Sequence, residues 1–327
     1  MSEHLLEVDD LYVEFRTRDG VAKAINGVSY SLDAGETLAV LGESGSGKSV
    51  TAQTIMGILD MPPGYITGGR ILYRGQDLLT MTEDERQKIR GAEIAMIFQD
   101  SLSALNPVFT VGDQIAEMFQ VHRGMSKKDG MKRAVELMEQ VRIPGAKQRV
   151  KDYPHQFSGG MRQRIMIAMA ISLDPAVLIA DEPTTALDVT VQAQIMELLE
   201  DLQRERDMGM ILITHDLGVV AGVADKIAVM YAGRIVESAG VMELYGSPAH
   251  PYTKGLLESM PRVDSRGGEL PAIKGLPPSL LHLPPGCNFN PRCPYTRQLC
   301  IEKVPATEEV AADHYAACHF WEEVADE

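Results

Sequence analysis

Apolar runs and polar breaks divide the chain into stretches of different period. In the opening third the runs are short: Leu5 to Val8, Tyr12 to Phe15, Val28 to Leu32 and Ile71 to Tyr73. Asp19-Gly20, Ala34-Gly35 and Gly68-Gly69 separate them. Short runs bounded by turn residues predict β-strands. From Val111 to about Ser172 the spacing becomes helical, most clearly in Val111 to Val121 and Lys132 to Val141, which predicts a helical subdomain over about 107–172. From Ala176 the pattern reads strand, helix (Val191 to Arg206), strand (Met210 to Thr214), helix, then strands Ile227 to Tyr231 and Arg234 to Glu237. Strands alternating with helices predict an α/β core on a mainly parallel sheet. After residue 247 the composition shifts to proline and glycine.

One break carries chemistry. Gly42, Glu43, Ser44, Gly45, Ser46, Gly47, Lys48 and Ser49 form a complete G-x-x-x-x-G-K-S loop between the strand-like run Thr37 to Leu41 and the helix-compatible run Val50 to Met56. The glycines let successive backbone N–H groups turn inward around phosphates, and the following helix N-terminus favours an anion. Lys48 would reach the β/γ-phosphates and Ser49 would ligate Mg²⁺. A phosphate site of this kind needs a carboxylate at the end of another buried strand. Ala176 to Glu182 supplies it, with Asp181 on the Mg²⁺ side and Glu182 directed by strand alternation towards the γ-phosphate, where it would orient or deprotonate a water.

Between these motifs lies Phe157-Ser158-Gly159-Gly160-Met161-Arg162-Gln163-Arg164, which resembles the signature of ABC transporter ATP-binding subunits. Gln99 in Ile97-Phe98-Gln99-Asp100 resembles the Q-loop of that family, Ala186-Leu187-Asp188 its D-loop, and His215 in Ile213-Thr214-His215-Asp216 its switch histidine. The resemblance implies an antiparallel β-layer beside the P-loop α/β core, ATP hydrolysis, and a head-to-tail dimer of two ATPases. In such a dimer Ser158, Gly159 and Gly160 grip the nucleotide of the opposite subunit. It also implies that Gln99 contacts Mg²⁺ and couples to the chemistry, that Asp188 lies at the dimer interface, and that His215 contacts the γ-phosphate. An aromatic ring for adenine is expected before the loop: Phe15 fits best and Tyr12 is the alternative. Phe157 and Met161 stand where the family has leucine and glutamine. Methionine cannot donate the hydrogen bonds of an amide, which predicts unequal sites in a heterodimer. The stretch Leu102 to Pro107 falls where the family couples ATP closure to membrane subunits.

The net charge of −15 and pI near 5.0 argue against binding nucleic acid or anionic lipid, whose surfaces are themselves negative. No run approaches ~18 apolar residues and the start lacks a basic segment followed by an apolar one, which predicts neither a membrane span nor secretion. A membrane role then runs through protein partners. The resemblance implies a peripheral place on the cytoplasmic face of the membrane, bound to two transmembrane permease subunits.

The 327 residues divide by these readings into an ABC ATPase domain over 1–247 and an extension over 248–327. In the extension, His250-Pro251-Tyr252-Thr253 with Leu256-Leu257, followed by Asn290-Pro291-Arg292-Cys293-Pro294, resembles the C-terminal element of oligopeptide, dipeptide and nickel importers. The match is close to the dipeptide/oligopeptide permease D-type ATPase subunits. It implies uptake of peptides selected by an extracytoplasmic binding protein, with nickel or another small solute as the alternative cargo. A soluble ABC ATPase acting on DNA or ribosomes would share the nucleotide motifs, but no coiled-coil insertion or basic patch supports it. Cys287, Cys293, Cys300 and Cys318 are the chain's only cysteines. Four thiols on a proline-rich, irregular segment predict metal ligands rather than disulfides. A structural [4Fe–4S] cluster is the favoured expectation and zinc the alternative.

Overall fold

The computed structural model describes residues 4–185, 187–260 and 273–325. Its strands are β1 (Leu6–Thr17), β2 (Gly20–Leu32), β3 (Thr37–Leu41), β4 (Gly64–Tyr73), β5 (Gln76–Asp77), β6 (Ile94–Ile97), β7 (Val177–Asp181), β8 (Gly209–Thr214), β9 (Lys226–Tyr231), β10 (Arg234–Gly240), β11 (Glu308–Ala311) and β12 (His314–Ala316). The described residues form two compact units, one drawn from residues 1–32, 37–79 and 214–327, the other from 33–36 and 80–213.

In the first unit, β2, β1, β4 and β5 make an antiparallel sheet, as the short apolar runs predict. The two runs before residue 16 are one strand, because Asp9 and Asp10 pass through it as a bulge: the register shifts between Val8 and Leu11, and Asp10 takes a positive φ of 46°. Gly68-Gly69 likewise lies inside β4, where a second register shift faces the first. Bulges of this kind bend a strand without ending it.

Strand β3 is wholly buried and pairs in parallel with β9, which continues antiparallel to β10. The extension, read from its prolines as irregular, contributes two strands here: β12 pairs with β10 and β11 with β12. Their short length and exposed faces gave no clear alternation to read. The extension also shares the core beside β9. Tyr231, Tyr252 and Phe289 are each at most 2% exposed, with ring centroids 4.6 Å (Tyr231–Tyr252), 5.2 Å (Tyr231–Phe289) and 5.4 Å (Tyr252–Phe289) apart. Burial of each such ring stabilises by roughly 1.5–3 kcal/mol, so this cluster fastens the extension to the strand that follows the nucleotide motifs.

Below the rings, Glu237 is buried and fully partnered. It accepts from the Ala249 N–H (2.6 Å) and the His250 N–H (3.0 Å), and its carboxylate meets His314 Nε2 at 2.8 Å. Burial pushes the His250 imidazole down to about 4, and its Nδ1 accepts from the Tyr252 N–H at 3.0 Å. A neutral ring here caps the first turn of the helix Pro251–Glu258, which sets Tyr252 in the core.

The second unit is built on β6, β7 and β8, all parallel and buried along their length. Helices Val111–Arg123, Lys127–Gln140 and Gly159–Ala170 begin at Thr110, Ser126 and Ser158, each of which accepts a hydrogen bond from the N–H three residues on. These caps satisfy donors that the first turn leaves open. The helical runs Val111 to Val121 and Lys132 to Val141 fall on the helices Val111–Arg123 and Lys127–Gln140, the second of which begins at Lys127, ahead of its run. Among the described residues no helix is long and apolar enough to cross a membrane.

Candidate functional site

The phosphate loop of the first unit runs from the end of β3 into the helix Lys48–Met56. Gly47 is forced by its surroundings: its φ is 108°, and a Cβ there would stand 2.6 Å from the Ala24 carbonyl oxygen and 2.7 Å from Met230 Cε. Gly45, at φ 78°, faces open space, the side on which a ligand would lie. The helix start carries neither a side-chain cap nor an acidic residue in its first turn, so its N–H groups suit an anion. Ser46 Oγ is buried without a hydrogen-bond partner. Lys48 is 5% exposed, and its Nζ donates to the carbonyls of Gly42 (2.8 Å) and Glu43 (3.0 Å). An orphaned hydroxyl, an open glycine and a buried ammonium fit a polyphosphate. Ser49 lies on the first helical turn. His215 is exposed just after β8.

In the adenine region, Phe15 is half-buried on β1. Tyr12 is engaged within its sheet: a Cβ on Gly68 would stand 3.2 Å from its ring, and one on Gly27 3.1 Å from its hydroxyl. Phe15 therefore remains the candidate.

In the second unit β7 ends at Asp181, which is 4% exposed. Strand alternation does not continue to Glu182, contrary to the expectation from sequence. Glu182 takes a φ of 45° while its N–H still donates to the Ile213 carbonyl at 2.9 Å, so a left-handed turn, uncommon for a non-glycine residue, aims the side chain. Its Oε2 accepts from Gln99 Nε2 (3.0 Å) and from Thr185 Oγ1 (2.8 Å). Gln99 and Glu182 are thus brought together. The contact of Thr185 was not anticipated, although a hydroxyl three residues past a turning acid is a local signal that could have found it.

The signature enters its helix through Ser158, whose hydroxyl accepts from the Met161 N–H at 3.4 Å. Gly160 packs against the helix Val189–Arg206: a Cβ would meet Val191 Cγ1 at 2.6 Å. Gly159 lies 3.6 Å, by the same measure, from Leu187 Cδ2. Phe157 and Met161, the two departures from the family pattern, flank one guanidinium. Arg149 lies 4.1 Å over the Phe157 ring, and its Nη1 is 3.4 Å from Met161 Sδ. They replace a leucine and an amide with a cation–π and sulfur contact to the same side chain. Asp188 caps the helix Val189–Arg206, accepting from the Val191 N–H at 3.0 Å. Ala186 of the D-loop lies outside the described residues.

The four cysteines are free thiols and line one small cavity together with Phe289 and Phe320. Burial pushes the Cys287 thiol up to about 11 and the Cys318 thiol up to about 12, and raises Cys293 as well. The expectation of a metal site is corrected in one respect. Among the described residues no group of three or more His, Cys, Asp or Glu is placed to hold a metal ion, so the zinc alternative lacks the tight tetrahedral ligand set it requires. The [4Fe–4S] expectation finds no support in a gathered ligand set either.

Comparison with known proteins agrees with the motifs. The ABC transporter family profile matches residues 25–185, and that of the oligopeptide/dipeptide transporter C-terminal region matches residues 236–300. The chain is 55% identical to the oligopeptide transport ATP-binding protein OppD of Bacillus subtilis, covering 95% of this chain and 87% of the relative. It is 51% identical to the dipeptide transport ATP-binding protein DppD of the same organism, over 99% and 97%. The solved dimer of the ATP-binding cassette MJ0796 bound to ADP and Pi superposes with a TM-score of 0.65 at 26% identity, covering 72% of this chain and 98% of that one. This chain belongs to the ABC transporter family, among the ATP-binding subunits of oligopeptide and dipeptide transporters.

Proposed function

We propose that the chain binds and hydrolyses ATP to energise an importer of di- and oligopeptides. The observation that carries the chemistry is Glu182, a carboxylate one residue beyond a buried strand-end aspartate and held by Gln99 and Thr185. In this reading the N–H groups of residues 42–49 and the Lys48 ammonium hold the phosphates. Ser49, Asp181 and Gln99 would hold Mg²⁺, which when bound would supply charge neutralisation for the phosphate oxygens. Glu182 orients a water and takes its proton, and His215 stabilises charge on the γ-phosphate. Phe15 stacks on the base. Ser158, Gly159 and Gly160 act on the nucleotide of a second, related ATPase, with Asp188 at that interface. The methionine in the signature supports a heterodimer with unequal sites.

Exposed apolar side chains support docking on two transmembrane permease subunits at the cytoplasmic face. Leu102 is 60% exposed, Val108 71% and Phe109 53%, all within a dozen residues of Gln99. Peptide as cargo, delivered by an extracytoplasmic binding protein, rests on the C-terminal region and on the relatives. In the assembled transporter a peptide-loaded binding protein should stimulate ATP hydrolysis. Stimulation by nickel and not by peptide would redirect the cargo while leaving the ATPase intact.

As the finer reading of the extension, Cys287, Cys293, Cys300 and Cys318, which line one cavity, would hold a [4Fe–4S] cluster. Its role would be to clip the extension together. Anaerobically purified protein should then carry about four irons and four acid-labile sulfides per chain. Iron-free protein with a protease-resistant extension would contradict it.

A further inference from the structure

The phosphate loop contains a residue that opposes its own purpose. Glu43 puts a carboxylate on the loop that would receive a polyphosphate, and a fixed negative charge near such a ligand opposes its binding. That carboxylate is gripped from the far end of the chain. Arg292 Nη1 donates to Glu43 Oε2 at 2.7 Å and Nη2 to Oε1 at 2.9 Å, a bidentate pair of the strong, oriented kind. Two further donors are committed: Nε donates to the Lys274 carbonyl at 3.1 Å, and Nη1 also reaches the Tyr231 hydroxyl at 3.3 Å. The Arg292 side chain is 4% exposed and that of Glu43 28%, so water screens the pair only in part. The backbone of the same loop residue is held too, because the Glu43 N–H donates to the Tyr252 hydroxyl at 2.9 Å.

Both contacts come from the extension, Tyr252 from His250-Pro251-Tyr252-Thr253 and Arg292 from Asn290-Pro291-Arg292-Cys293-Pro294. We propose that Arg292 and Tyr252 are positioning residues for the phosphate loop. They neutralise and fix Glu43, and so the C-terminal extension sets the affinity of the loop for ATP. The link to the reacting phosphates is short, since the carbonyl of Glu43 is one of the two that Lys48 Nζ contacts. A shift of Glu43 therefore moves the anchor of the lysine.

This inference rests on the loop binding ATP, as proposed above. The test is titration of the full chain with a fluorescent ATP analogue and Mg²⁺, comparing the parent with Arg292→Ala, Arg292→Lys and Arg292→Ala/Glu43→Gln. Arg292→Ala should weaken binding about tenfold, ~1.4 kcal/mol. Arg292→Lys keeps the charge without the fork and should lose less. Removing the charge of Glu43 in the Arg292→Ala background should restore most of the affinity, a rescue that a merely structural role for Arg292 would not give. Should Arg292→Ala fail to fold, Tyr252→Phe, which deletes one hydroxyl, must still weaken binding. Unchanged affinity in Arg292→Ala, or a double variant as weak as the single one, would overturn the proposal. A folded parent that does not bind the analogue would instead overturn the assignment of the loop.

Discussion

Glu182→Gln is expected to cut ATP turnover in the assembled transporter by about 10²-fold or more, the scale of losing a general base, while MgATP stays bound. Glutamine has the shape of glutamate and can still accept a hydrogen bond from Gln99, so the loop and its lysine are untouched. What disappears is the carboxylate proposed to take the proton of the attacking water. The variant should therefore accumulate ATP, not ADP, and hold the two ATPases closed around it. Phosphate release gives the rate, and the nucleotide retained after rapid gel filtration gives the trapped state. Parental turnover would remove Glu182 from the assigned role. Loss of both turnover and binding would make it part of the fold rather than of the chemistry.

Lys48→Ala should act at the opposite step, weakening MgATP binding by about ten- to a hundredfold, the loss of one or two charge-assisted hydrogen bonds. Lys48 is almost fully buried. Its removal takes away the ammonium proposed to hold the phosphates and leaves the Gly42 and Glu43 carbonyls, which it joins, without that donor. The loop then loses both its ligand charge and its internal brace. Equilibrium titration measures the change directly. Strong binding with slow turnover in Lys48→Ala, the pattern assigned to Glu182→Gln, would contradict the division of labour between the two residues.

The contrast between these variants reflects how differently the two parts of the machinery are encoded. The phosphate loop is a contiguous motif whose glycines, lysine and hydroxyl have fixed spacing, and its strand and helix lie where the apolar pattern puts them. Glu182 was legible as a residue but not as a geometry. Strand alternation predicted its direction, whereas a left-handed backbone turn and the Gln99 and Thr185 contacts set it. The bulges at Asp10 and Gly69 were read as strand ends, because polar and glycine pairs mark turns and bulges alike. Least legible was the extension. Its prolines suggested irregular chain, yet Tyr252 and Phe289 complete an aromatic core with Tyr231, and β11 and β12 pair onto β10. The Arg292–Glu43 pair spans 249 positions. Nothing in local spacing marks such a pair, although both of its residues stand inside motifs that the sequence makes conspicuous.

The central claim is that ATP hydrolysis in this chain drives peptide across a membrane. Its most direct test is uptake of a labelled oligopeptide into proteoliposomes bearing the assembled transporter, with ATP on the side of this subunit and the binding protein on the other. The account predicts uptake that requires ATP and falls to background with Glu182→Gln. Peptide uptake that proceeds undiminished in that variant, or ATP hydrolysis that never moves peptide, would contradict it.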